Sequence, residues 1–194
     1  MSQNQNKEME RPEDHLQKKM FYHLYDAFLT IKLPWKSKYT SFETILWASN
    51  QIDHMIIVGI SKNALQLIAD GDFKKTTKGV VRGHKMGRVT RGEHLFGDCR
   101  VDYENAFDFY RKQDQCVLIT KAENGVKVDP KEWSHIFEFN QTDWLFPWRS
   151  PGYSAHYSDE TLEYLKGLAK NNGIYQETTR GPTQDSELPE GLQN

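Results

Sequence analysis

Seven basic residues fall between positions 74 and 91: Lys74, Lys75, Lys78, Arg82, Lys85, Arg88 and Arg91. His84 lies among them, and no acid interrupts the run. The other 18 of the 25 cations face all 27 acids, so a net charge of −2 conceals a basic island in a remainder of −9. Like charges this close repel unless an anion meets them. The phosphate backbone of nucleic acid is the usual one, bound with release of counterions. Lysines suit phosphates as point charges, so Lys74, Lys75 and Lys78 are expected at the backbone. Arg82 and Arg88 are the candidates for bidentate contact to guanine, because a planar fork matches two acceptors. His84, Lys85 and Arg91 complete the expected DNA-binding set. The competing view is a solvated basic face that binds nothing.

Arg82, Lys85 and Arg88 recur every three residues, which on a helix would form a slowly drifting ridge of cations. Gly79, Gly83, Gly87 and Gly92 argue for irregular backbone over part of the stretch, since glycine disfavours helix. The preceding segment, Ser61 to Gly71, reads as a short capped helix ending in a glycine. Helix, turn and basic element in that order suggest a helix-turn-helix reader of double-stranded DNA.

Catalytic chemistry finds less support. None of the seven histidines is paired with another four residues on, so no metal-binding helix motif is present. His84 and His94 with Asp98 could form a general-base or metal group, but the spacing matches no motif. Asp114 and Lys121 flank the apolar run Cys116 to Thr120, as in some metal-dependent nucleases. That core needs an acid two residues before the lysine, where this chain has Ile119. Gly173-Ile174-Tyr175 has no partner motif after it. Cys99 and Cys116 are weak candidates for a nucleophile, and Cys116 sits in an apolar run that disfavours a thiolate. No catalytic residue, metal or cofactor is therefore expected. Both cysteines read as free thiols of a reducing, cytoplasmic setting. Trp133, Trp144 and Trp148 read as core, although Arg149 beside an aromatic loop could stack bases.

The elements that must position these residues are helical at first. Leu16 to Ile31 places Met20, Leu24, Ala27, Phe28 and Ile31 on one face, and Pro34 ends it. Ser41 is expected to cap a second helix through Ile45, Leu46 and Ala48. The run 54–60 fits either a buried strand or the end of that helix. Asp102 should cap a helix carrying Tyr103, Ala106, Phe107 and Tyr110. Cys116 to Thr120 reads as a buried strand, answered across Asn124-Gly125 by Val126 to Val128, with a third strand at 135–140. Ser158 caps a last helix with Leu162, Leu165, Leu168 and Ala169 in its stripe. The expected fold is α+β: N-terminal helices, a helix-turn-helix-like basic segment, a small antiparallel sheet and a C-terminal helix. One globular unit spans 15–175, between a disordered tail at 1–14 and an acidic one at 176–194. Aromatics at 12% suffice for a core, and no apolar run nears the roughly 18 residues of a membrane span.

Ile60-Ser-Lys-Asn-Ala-Leu through Val80-Val-Arg-Gly-His-Lys-Met-Gly-Arg-Val and Leu95-Phe96, with Val117-Leu-Ile-Thr-Lys-Ala-Glu-Asn downstream, resembles the DNA-binding regions of phage homing endonucleases. It is also similar to stand-alone regulators that phage satellites have domesticated from them. The resemblance covers about a third of the chain, residues 60–124. It implies sequence-specific DNA binding with Arg82, His84 and Arg88 in the contacting element. The catalytic half of such an endonuclease is not visible, which favours a binder over a cutter. The expected function is thus a sequence-specific DNA-binding protein, a transcriptional repressor of phage or mobile-element origin. Dimerisation on a palindromic site is compatible with it, with no surface assigned. The alternatives are a small metal-dependent endonuclease, or an interaction protein whose island docks an acidic partner.

Overall fold

Helix α1 (Pro12–Thr30) buries Phe21, Tyr25 and Phe28, at spacings of four and three. The buried stripe is thus the aromatic face, rotated from the expected one; Ala27 and Ile31 are exposed. Rings exclude more water per residue than the neighbouring aliphatics, so they decide which face turns inward. Pro34 ends α1 and also begins α2 (Trp35–Ser49), its carbonyl accepting from the Ser37 and Lys38 N–H groups at 3.0 and 3.1 Å. Ser41 therefore lies inside α2 rather than capping it. Tyr39, Phe42, Glu43 and Leu46 form the buried side of α2.

These two helices meet α4 (Arg88–Phe96) and α5 (Ala106–Gln113) around an aromatic core. Phe21 stands edge-to-face to Phe42 at 5.3 Å and to Phe107 at 5.4 Å. Such pairs add about 0.5–1.5 kcal/mol to their burial. Gly92 lets α4 approach α2: a Cβ there would lie 2.7 Å from the Tyr39 ring. Asp102 precedes a single 3-10 turn, 103–105, and makes no side-chain cap; α5 begins only at Ala106, leaving Tyr103 exposed.

The second part of the core is aliphatic. Strands β1 (Ile57–Ser61), β2 (Val80–His84), β3 (Cys116–Thr120) and β4 (Ile136–Glu138) form one sheet in the order β2-β3-β1-β4. Of the run left open between strand and helix, residues 57–60 are strand. The sheet is mixed rather than antiparallel. β1 and β3 run parallel, with Ile57 opposite Cys116 and Ile60 opposite Leu118, while β2 and β4 are antiparallel edges. The parallel pair demands a long crossover, which residues 62–115 supply. Both central strands are near-continuous apolar runs, as strands covered on two faces must be. On one face Leu65 and Ile68 of α3 (Lys62–Asp70) and Leu165 of α6 (Asp159–Asn171) pack on Ile60 and Leu118. On the other, Trp133 and Ile136 pack on Val81, Val117 and Ile119.

The caps of α3 and α6 are where the sequence places them. Ser61 Oγ accepts from the Ala64 N–H, and Ser158 Oγ from the Thr161 N–H, each at 3.1 Å. Glu123 locks the α3 end of the sheet. It accepts from Ser61 Oγ at 2.8 Å, Ser134 Oγ at 2.6 Å and the Thr120 N–H at 2.8 Å. Burial alone would raise its carboxyl, but these donors hold it at about 2.

The basic segment after α3 is a turn and a strand, not a second helix. Asp72 and Phe73 take positive φ, Gly79 follows at +96°, and β-branched Val80 and Val81 open β2. The next helix, α4, starts only at Arg88.

The computed structural model describes residues 12–49, 55–75, 77–125, 129–139 and 157–176. Helix α1 thus reaches into the segment expected as a tail. The proposed strand 126–128, the aromatic loop 144–153 with Trp144, Trp148 and Arg149, and residues 1–11 and 177–194 lie outside the described residues. No helix among the described residues is long and apolar enough to cross a membrane.

Candidate functional site

The basic island lacks acids in sequence and acquires them in space. Arg91 sits on the inner face of α4 with none of its side chain exposed. Its Nη1 pairs with Asp114 Oδ1, and its Nη2 reaches Glu43 Oε1 at 3.0 Å. Burial works against the Arg91 charge, but Asp114, Tyr39 and Glu43 outweigh it and hold the guanidinium protonated. Tyr39 donates its hydroxyl to Glu43 Oε1 at 2.6 Å, and the Met55 N–H donates to Asp114 Oδ2 at 2.6 Å. Burial pushes the Asp114 carboxyl up, and Arg91 with the Met55 N–H pulls it back. An arginine sealed in the core in this way offers no surface to a phosphate.

Arg88, one turn earlier on α4, is half exposed. Its Nε donates to Glu43 Oε2 at 2.7 Å, Nη2 pairs with the same oxygen, and its plane lies 4.8 Å over the Trp47 ring. The fork that would read guanine is therefore largely engaged by Glu43. Lys85 reaches Glu138 at 3.6 Å, and Lys75 reaches Asp159 at 3.0 Å. Both pairs are exposed and weak by nature. Lys74 and Lys78 are exposed, with no partner among the described residues. Arg82 is buried in β2, far from the role of a base reader.

His84 ends β2 beside the buried pair. Its Nδ1 lies 3.4 Å from Cys116 Sγ and 3.8 Å from Asp114 Oδ1. Burial first, then Arg91, Arg88 and Arg82, pull its pKa down to about 3, so the imidazole is neutral. Burial pushes the Cys116 thiol up to about 12, which leaves it unreactive. Cys99 and Cys116 are both free thiols. His94 is not brought to His84: its Nδ1 faces the Cys99 carbonyl at 3.0 Å and its ring packs on Phe109. Among the described residues no three His, Cys, Asp or Glu side chains are grouped to hold a metal.

The exposed remainder of the island gathers at two places. Lys74 and Lys78 lie on the turn between α3 and β2. Lys85, Gly87, Arg88, Val89 and Thr90 are exposed around the N-terminus of α4. Gly87 caps that helix without a side-chain bond, so first-turn N–H groups have no side-chain acceptor. An N-terminus carrying positive partial charge between Lys85 and Arg88 suits an anion.

Sequence inspection missed Glu43, Trp47, Glu138 and Asp159 as partners of the island. Their only signal was the excess of acid elsewhere in the chain. Comparison with known proteins adds no family: no protein-family model, no curated protein and no solved structure matches the chain.

Proposed function

We propose that this chain binds double-stranded DNA and acts by occupancy, as a transcriptional repressor would. The observation that carries the reading is the exposed turn Lys85 to Thr90, where cations flank the uncapped N-terminus of α4. Lys74 and Lys78 form a second exposed basic patch, at the opposite end of β2, and the turn before β2 carries no acid between Lys74 and Val80. Contacts of this kind hold the DNA backbone and fix register. With Arg82 and Arg91 withdrawn into the core and the Arg88 fork engaged by Glu43, the exposed cations account for backbone contact and leave base readout unassigned.

Fluorescence anisotropy with a random-sequence duplex between about 50 and 200 mM salt tests this directly. Binding should weaken linearly in log salt. Lys74→Ala and Lys78→Ala should each shallow the slope by roughly one unit without changing the fold. Absence of salt-dependent binding, or an unchanged slope in both variants, would remove the DNA reading.

A further inference from the structure

Arg82 differs from every other cation of the island. It points from the middle of β2, and only 7% of the residue is exposed. Its Nε is enclosed and has no acceptor, and the guanidinium makes no hydrogen bond or ion pair among the described residues. The groups that act on it most strongly are the Cys116 thiol and the Tyr157 phenol. Both are buried, and burial pushes both pKa values well above neutral, so neither supplies a negative charge. The acids that satisfy Arg88 and Arg91 do not reach it. Arginine does not shed its proton to escape such a site, although burial pulls its pKa down. A buried polar group is normally satisfied, and a guanidinium in particular calls for an anion.

We infer that Arg82 holds a small oxyanion on the sheet face beside Tyr157. The free Nε, together with an adjacent Nη, forms the parallel pair of donors that matches two oxygens of a phosphate or a carboxylate. Being buried, this site is separate from the exposed surface assigned to duplex DNA, and it stands or falls independently of that assignment. It takes a small free anion or the anionic end of a small ligand, because a duplex backbone cannot reach a residue so enclosed.

Thermal unfolding of the full chain in sodium phosphate, sodium acetate and sodium chloride at matched ionic strength decides the matter. One of the two oxyanions should raise Tm saturably, by about 3–6 °C at ten times its half-saturating concentration. Which one does so separates a phosphate from a carboxylate ligand. Chloride should not raise it. Arg82→Met should abolish the response and, without anion, melt at or above the wild type, because an uncompensated charge has gone. Arg82→Lys should keep only part of the response, having lost the fork. No saturable rise in the wild-type protein would overturn the inference. So would a linear rise shared by Arg82→Met, which is general salt exclusion. A third overturning result is an Arg82→Met protein that melts several degrees lower and ignores anions, since the guanidinium would then already have a partner.

Discussion

Arg82 and Arg91 lie nine positions apart in one basic stretch, and both are buried, yet their surroundings are opposite. On the α4 side, Arg91 is clasped by Glu43 and Asp114, and Tyr39 and the Met55 N–H complete the carboxylates. On the β2 side, Arg82 meets a thiol and a phenol. The α4 side lies where helices α2 and α4 meet the end of β3, and long side chains from several elements converge there. The β2 side faces the aliphatic layer under α3 and α6, which supplies no acid. A run of cations in sequence is therefore not one surface. Its members divide into a structural clasp, an unpaired charge and an exposed fringe, and only the fringe resembles the footprint of a nucleic-acid binder.

Removing Arg91 breaks this contrast most sharply. Arg91→Met leaves the buried Asp114 carboxylate without its arginine and Glu43 with Arg88 alone, and should cost about 3–5 kcal/mol, read as a shift in urea midpoint. If it costs no more than Arg82→Met, the clasp is not holding the helices to the sheet.

His84 sharpens the comparison through pH. The unfolded imidazole takes up its proton below about 6.5, whereas the folded one does so only near 3. Between those values the unfolded state binds more protons, so stability is complete above about pH 6.5 and falls as pH drops toward 3. One proton corresponds to a slope of about 1.4 kcal/mol per pH unit. His84→Asn should flatten that slope in urea titrations taken at successive pH values. An unaltered slope would assign the acid sensitivity to another group.

The smallest effect belongs to the fringe. Lys75→Ala severs an exposed pair with Asp159 and should change stability by less than about 1 kcal/mol, an effect that added salt erases. A larger loss would place Lys75 with the clasp instead.

Local chemistry was readable from the sequence. Ser61 and Ser158 act as caps because a cap is decided within four residues. Strand β3 followed from its continuous apolar run, and the helix after Ser158 from its periodic stripe. What escaped was non-local. The parallel pairing of β1 with β3 leaves no mark in either strand. The partners of Arg91 lie 48 and 23 residues away, so nothing near it announced that it would be buried. The face of α1 was misjudged because aliphatic spacing was weighed above ring size. Strand β2 was hidden by its glycines and cations, which argue against strand one by one, while the flanking valines and the adjoining β3 decide for it.

The sheet order also sets a schedule. β1 can meet its central neighbour β3 only after residues 62–115 have been gathered in, and β4 attaches to β1 in turn. Helices α1 and α2, by contrast, are consecutive and close a short loop. Loop-closure entropy must be overcome before distant contacts return anything, so the strand order delays the sheet relative to the helical hairpin. Folding rates should therefore respond to trimming Phe21 or Phe42. Trimming Ile60 should instead mainly speed unfolding, a division that chevron plots of the three variants would reveal.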